Sequence, residues 1–557
     1  MTASTGWTVC SSPAPGASPS ATPAVRAAVD WRGAAVVAAL ALFITALIAA
    51  PVLLAPAERL FGREIVGRNH DPFTVMRQFL RPISFGLYTQ PVTDVAGALL
   101  ARVLYPVTAY NMLLLLSFPL SALTAYLLGR HLALSPSGAA VAALAYAFSP
   151  FHIAQAAYHV HIAQTQWFPF YLLALFLCLD EPRPMRVGLL LVATGCVAFS
   201  NFYGGLIAAV ITPVAIAAYW LGVARARARS IRGLLVTTGS LLLIAGGGIA
   251  YVWTVAREVI ANPAAIAFGR ADLFRYSAKW WSYLLPPVQN PLLGDGARRL
   301  WLEAGVGGGM LEQQVSLGWG IIALGLVAAA RWLAGDRQPA ALRNVPLVAA
   351  LALAALACSL SPERRIGPFT IVRPSGILYG VVPMFRAYAR FGVIVQLMAA
   401  LLAGMGADWL LGAGTRRGKV ACTALLLLAV GEYAVWPPAL WRDVLPTAAH
   451  RWVARQPVGL RVLDCAKSTP AESSVPWLTD RQLMLLGGQF NDCTEPNLPE
   501  KLAASGYTHL LVRRESPTGR WFASHPPPEG LRRLEQFSDS EVFAVSISPH
   551  PVFGETP

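Results

Sequence analysis

The sequence predicts a mainly α-helical, polytopic integral membrane protein of about eleven transmembrane helices, with a small C-terminal α/β domain outside the membrane. Three observations carry this. Of 557 residues, 55% are hydrophobic and only 13% are charged, against about 25% charged in a typical soluble protein. Apolar runs of membrane-crossing length recur between residues 34 and 437. From residue 438 those runs stop and short β-type segments replace them.

Residues 1–33 are rich in Ala, Pro, Ser and Thr without hydrophobic periodicity, which reads as a disordered cytoplasmic tail. The first apolar run, Ala34 to about Ala55, is too long for a signal-peptide core and reads as an uncleaved span. Each span needs about 20 apolar residues. The runs fall near 34–55, 106–129, 132–149, 162–180, 187–200, 203–222, 233–255, 317–334, 345–361, 387–413 and 420–437. Taken as one helix, 187–222 would be about 54 Å long at 1.5 Å per residue, too long for a core of about 30 Å. SNFYGG (200–205) supplies the break.

Arginines orient the spans. DEPRPMR (180–186) and ARARARSIR (224–232) are short basic loops and belong inside, so two crossings separate them. Arg130, Arg331, Arg337, Arg343, Arg416, Arg417 and Lys419 fall on the same side. The N-terminus is then inside, the transmembrane domain covers 34–437, and 438–557 lies outside, as in a multi-pass protein of a bacterial-type cytoplasmic membrane. Residues 56–105 and 256–316 become long outer loops. The first of these carries Arg59, Arg63, Arg68, Arg77, Arg81 and Arg102 against the inside rule, which suits a loop that grips phosphate. The net charge of +15 belongs with basic loops and anionic headgroups, not with nucleic acid. Only four of the 44 basic residues are lysine, so a lone arginine signals little. The chain has no P-loop, no strand–GxGxxG–helix, no CxxC and no HExxH.

In the C-terminal domain LRVLDC (460–465), YTHLLVRR (507–514) and EVFAVSI (541–547) read as strands. PEKLAASG (499–506) reads as a helix with Gly506 at its C-cap. Cys465 and Cys493 are the only cysteines there, and in an oxidising compartment they suggest a disulfide. Cys10, Cys178, Cys196, Cys358 and Cys422 lie in the tail or in spans.

Polar chemistry gathers on the outer side. SPFHIAQAAYHVHIAQTQWFPF (149–170) places His152, His159 and His161 among Gln155, Gln164 and Gln166 at the mouth of an apolar run. If 152–166 is helical, His152, Gln155, His159 and Gln166 form one stripe and His161 points away. Such a stripe suits caps between helices, a hydrogen-bonding wall for a sugar, or, with His70 or a carboxylate added, a metal site. Asp71 follows Asn69 and His70 and precedes Pro72 in the first outer loop. It is a candidate catalytic carboxylate, and Asp-Pro also suits a helix start. Asp94 in QPVTD is a similar cap candidate. Glu312 is a lone carboxylate near the start of a span. Arg386 and Arg390, four apart, share a helix face at the outer end of the tenth span and suit a lipid phosphate or the headgroup layer.

This layout resembles the GT-C membrane glycosyltransferases, and in particular their YfhO-like bacterial members, over residues 30 to 550. The likeness rests on the Asp71 loop, AYNMLLLLSFPLSALTAYLLGRHL (109–132), the histidine stretch, and LAASGYTHLLVRR followed by FSDSEVFAVSI. The resemblance implies transfer of a sugar from a polyprenyl-phosphate carrier to an envelope glycan, lipid or protein on the outer face of the bilayer. It also implies an acidic residue of the first outer loop acting as base or as ligand to a divalent metal such as Mg or Mn, and Asp71 matches that position. The first outer loop holds no DxD or ExD pair, and Trp280 and Trp281 are followed by Ser282, not by the Asp of a WWD motif. The substrate-binding candidates are His70, His152, Gln155, His159, Gln166 and Glu312, with Arg386 and Arg390 on the lipid phosphate. The rival readings are a transporter or flippase, or a non-catalytic assembly protein for an envelope glycan. A transporter places its ionisable groups near the midplane and often shows two repeated halves; here they gather near one face.

Overall fold

The computed structural model describes residues 30–62, 71–80, 89–223, 231–255, 257, 261–262, 267–435, 441–443, 447–456, 460–465, 483–485, 493–495, 497–514 and 517–546. The expected tail up to residue 29, His70, most of the basic loop 224–232 and the side chain of Asp71 lie outside them.

Each apolar run contains a helix, and local signals set where it begins. Proline occupies the first turn of Pro91–Ala101, Pro106–His131, Pro136–Ala147, Pro150–Ala156 and Pro184–Ser200, where its missing N–H costs nothing. Asp30, Ser135, Ser149, Asn201 and Thr415 are N-caps whose side chains accept a backbone N–H of the first turn. The expected break in 187–222 falls at Asn201, which ends Pro184–Ser200 and caps Phe202–Ala218.

By length and composition, seven helical segments of the described residues can cross a membrane: Trp31–Ile48, Pro106–His131, Pro136–Ala156, Phe202–Gly222, Ile231–Thr254, Ala340–Ser359 and Tyr388–Gly412. The other four expected spans fall on the shorter apolar helices Trp167–Asp180, Pro184–Ser200 and Trp319–Leu333 and on Arg416–Tyr433, which opens with Arg416, Arg417 and Lys419.

Gly392–Gly412 is the hub. It packs against Trp319–Leu333, Pro136–Ala147 and Val345–Ser359. A Cβ on Gly404 would sit 2.4 Å from the Gly138 carbonyl oxygen, and one on Gly406 would sit 1.9 Å from that of Leu324. Such close backbone approach is how helices associate where lipid gives no hydrophobic drive. Ile231–Val255 is the opposite case, a largely exposed helix leaning on Pro184–Ser200 and Trp167–Asp180.

The strands are β1 (Arg59–Phe61), β2 (Glu363–Ile366), β3 (Phe369–Val372), β4 (Trp441–Asp443), β5 (Val462–Cys465), β6 (Leu483–Leu485), β7 (His509–Arg513), β8 (Leu531–Gln536) and β9 (Ser540–Val545). β1 pairs antiparallel with β4, and Asn111 pins β1 by donating to the Arg59 carbonyl at 2.7 Å and accepting from Phe61 N–H at 2.9 Å. β2 and β3 form a hairpin between the expected spans 345–361 and 387–413. β5 to β9 form one sheet in the order β6-β5-β7-β9-β8, with β5 parallel to β6 and β7 and the other pairs antiparallel. Helix Leu498–Ala504 precedes Gly506, which has a φ of +73° that glycine adopts without strain. Cys465 on β5 is bonded to Cys493, with 6.1 Å between Cα atoms, and both lie in this sheet's core with Leu510 and Phe543.

Candidate functional site

A cavity of about 2560 Å³ runs between Phe202–Ala218, Ile231–Val255 and the segments that join the helices at one end. Tyr203 and Trp220 both line it. They are seventeen residues apart on one helical run, so the cavity extends roughly 25 Å along the helix at 1.5 Å per residue. Its long wall is apolar, with Leu206, Ile216, Leu241 and Ile249. Its Tyr203 end is polar, with Gln78, His159, His161, Glu312, Arg386 and Arg390.

Arg390 and Glu312 form the most buried ion pair of this end. Glu312 stands on the 3-10 turn Gly307–Gln313 and Arg390 on the 3-10 turn Tyr388–Phe391. Arg390 Nε and Nη2 donate to Glu312 Oε1 at 3.1 and 2.7 Å. Their side chains are only 13% and 5% exposed. The guanidinium also lies over the Tyr203 ring, 4.3 Å from its centroid. Arg386 is more open. It donates to Asp272 Oδ2 at 3.0 Å and lies over the rings of Phe268 and Tyr276. The Tyr203 hydroxyl accepts the backbone N–H of both Arg386 and Ala387 at 3.1 Å. Tyr203, read from the sequence only as part of a helix break, thus holds both arginines in place.

The arginine pair reaches the site by a route the sequence did not show. Helix Gly392–Gly412 begins beyond Arg390, and Arg386 lies before the 3-10 turn. They therefore meet the cavity from a loop and a turn, not from one helix face.

The histidine stretch is also rearranged. Helix Pro150–Ala156 ends at the cap Ala157, and the next helix starts at Trp167. The segment between turns, so no single stripe forms. His152 is fully buried away from the cavity. Its Nδ1 donates to the Ala147 carbonyl at 2.7 Å, Nε2 lies 2.8 Å from the Ser117 hydroxyl, and the ring stacks on Phe118. Gln166 Nε2 donates to Gln164 Oε1 at 2.9 Å, a local side-chain contact away from the cavity. Gln155 Nε2 donates to Glu312 Oε2 at 3.4 Å and so supports the cavity from behind. His159 lines the cavity.

His161, expected to point away, lines it too. Its Nε2 donates to Asp94 Oδ1 at 2.7 Å, and both side chains are nearly buried. Asp94 is not the helix cap the sequence suggested: it lies within the first turn of Pro91–Ala101, whose N-cap is Gln90, and its Oδ2 accepts from Gln90 N–H at 2.7 Å while Oδ1 orients the imidazole. That pairing spans 67 positions; the outer-side location shared by the two loops was its only signal in the sequence. Asp71 is the first residue of helix Asp71–Leu80, whose Val75 and Gln78 line the same polar end. Among the described residues no three His, Cys, Asp or Glu side chains converge on a metal-sized site.

The chain is similar to the mycobacterial arabinofuranosyltransferase AftD, solved by single-particle cryo-EM, with a TM-score of 0.56 at 15% identity, covering 94% of this chain and 40% of that one. It is also similar to the oligosaccharyltransferase of Archaeoglobus fulgidus in the apo form, with a TM-score of 0.47 at 12% identity, covering 93% of this chain and 75% of that one. Both are GT-C glycosyltransferases, and the likeness to AftD is one of fold. This chain spans well under half the length of AftD. No curated protein matches it. One family model matches residues 89–432, a span that holds every described polar residue of the cavity except Gln78. The chain therefore belongs to the family described as domain of unknown function DUF6311.

Proposed function

We propose that the protein is a membrane glycosyltransferase that moves a sugar from a polyprenyl-phosphate carrier to an envelope acceptor on the outer face of a bacterial-type cytoplasmic membrane. The observation that carries this reading is the graded cavity. An apolar wall roughly as long as a bilayer core leads to a polar end with two arginines, which is the shape of a ligand with a long apolar tail, an anionic neck and a sugar head.

In this reading the tail lies between Phe202–Ala218 and Ile231–Val255. Arg386 and Arg390 take the phosphate, with Glu312 and Tyr203 fixing their positions. His159 and His161 hydrogen-bond the sugar hydroxyls, and Asp94 orients His161. Asp71 accepts the proton of the acceptor hydroxyl. The acceptor oxygen bonds to the anomeric carbon while the bond from that carbon to the phosphate oxygen breaks. Its electron pair stays on the phosphate, where the arginines stabilise the charge. A divalent metal such as Mg or Mn would find no group of three His, Cys, Asp or Glu among the described residues, and Asp71 is the carboxylate that would ligate it.

The flippase or assembly-protein reading draws on the same lateral, lipid-facing wall. One experiment separates them. The protein in nanodiscs is given a panel of synthetic polyprenyl-phosphate sugars, arabinofuranose included, with short oligosaccharide acceptors, and released polyprenyl phosphate is measured. Transfer that disappears in the Arg386→Gln/Arg390→Gln variant supports glycosyl transfer. Absence of product with every donor, alongside donor crossing in proteoliposomes, overturns it in favour of the flippase.

A further inference from the structure

The β2–β3 hairpin carries an amphipathic surface that the cavity does not use. β2 and β3 are joined by Gly367-Pro368, and Gly367 has a φ of +58° at the first central position, as a mirror-type hairpin turn requires. The register places Ile366 opposite Phe369 and Arg364 opposite Ile371. Side chains alternate across a strand, so these four share one face, while Arg365 and Thr370 share the other. Ile366, Phe369 and Ile371 are 54%, 73% and 51% exposed. Among the described residues nothing covers this face, and a two-stranded ribbon in water needs such a partner.

Chain connectivity fixes where this face sits. The hairpin starts four residues after the apolar segment Ala340–Ser359 ends, and the next begins at Tyr388. The intervening Pro374–Val381 helix exposes Ile377, and Val381, four residues on, lines the cavity, so the hairpin adjoins the cavity's edge. Arg364 and Arg365 are exposed on the hairpin. Burial, and then the nearby Arg364 guanidinium, push Arg373 below its ordinary range, so the cationic groups crowd together. Exposed apolar side chains rimmed by arginine at a span end match the boundary between headgroups and acyl chains. The unit is braced by the ion pair of Arg270 with Glu363 and by the Tyr379 hydroxyl, which donates to the carbonyl of the cavity residue Phe268.

We propose that the β2–β3 hairpin is an interfacial wedge that inserts Ile366, Phe369 and Ile371 into the leaflet at the polar end of the cavity, with Arg364 and Arg365 on anionic lipid headgroups. It rests on the hairpin's register and position alone and stands whether or not the cavity transfers sugar.

The test uses the full chain in nanodiscs with a nitroxide attached at Phe369→Cys, Ile371→Cys or Thr370→Cys, one at a time. The unsubstituted chain taken through the same labelling supplies the background. Labels at 369 and 371 should be more accessible to oxygen than to a water-soluble nickel chelate, and the label at 370 should show the reverse. Adding phosphatidylglycerol to phosphatidylcholine discs should deepen 369 and 371, and Arg364→Gln/Arg365→Gln should remove that lipid dependence. Labels at 369 and 371 that meet the nickel chelate as freely as 370 overturn the wedge and assign the face to a soluble partner. A depth indifferent to phosphatidylglycerol overturns the headgroup role of the arginines. With two independent apolar positions, one variant that fails to fold leaves the other to decide.

Discussion

Arg390 and Glu312 are 78 positions apart in the chain and meet on a single carboxylate oxygen, with guanidinium nitrogens at 3.1 and 2.7 Å, at the polar end of the cavity. Removing one partner of a buried pair leaves an uncompensated charge and costs about 3–5 kcal/mol. Glu312→Gln is therefore expected to lower the melting temperature clearly. Glu312→Gln/Arg390→Gln should recover much of that loss while binding less lipid-phosphate donor. Thermal scanning in detergent micelles reads the first effect and donor titration the second. A double variant no more stable than the single one would show that the pair does not act as a unit.

Asp71→Asn is expected to abolish sugar transfer while expression and melting temperature stay near those of the parent. General acid–base contributions are about 10²–10⁴-fold, so the loss should be at least of that order. A variant that keeps full turnover returns Asp71 to the role of a helix start. Because a lost cap costs about 1 kcal/mol, melting must be measured alongside turnover.

Asp94→Asn should act through His161. An Asn side chain still accepts the Gln90 N–H but no longer offers a charged acceptor to the imidazole. The expected result is a raised KM for donor with kcat within a few-fold of the parent, the pattern of lost binding shared by ground and transition states. His161→Gln should show the same pattern, and the two changes should combine to less than their product, since one residue works through the other. Independent, multiplicative effects would separate His161 from Asp94.

The Cys465–Cys493 bond closes a separation of 28 residues. A crosslink of that span contributes about 3.6 kcal/mol by the chain-entropy relation. Cys465→Ser/Cys493→Ser should lower the stability of the C-terminal sheet and leave the helical part intact, as read by limited proteolysis. Mass mapping of the parent under non-reducing conditions should return the linked peptides; two free thiols in protein taken from the envelope would remove the bond.

Reporter fusions in the 224–232 loop and after residue 470 are expected to report opposite sides of the membrane, inside and outside respectively. The same side for both would change the number of crossings between them and with it the outward placement of the polar end.

The sequence alone determined the helical membrane class, a helix break within SNFYGG (200–205), the core segments of β5, β7 and β9, and the grouping of Glu312, Arg386, Arg390 and the histidine stretch as candidates for one site. These are local signals: apolar length, Pro and Asn starts, period-two alternation, and the side to which arginine-rich loops belong. What only the tertiary structure decided is which of those polar groups face a common space. His152 and His161 exchanged roles because the helix ends at Ala156, and a turn rotates side chains off the 3.6-residue register that the stripe assumed. Asp94 found His161 across 67 positions and Glu312 found Arg390 across 78, pairings that no spacing rule encodes. A periodic pattern reports which face of an element is apolar. The partner of a buried charge is set instead by how helices from distant parts of the chain pack, here around the glycines of Gly392–Gly412, and that information becomes physical only when the chain is folded.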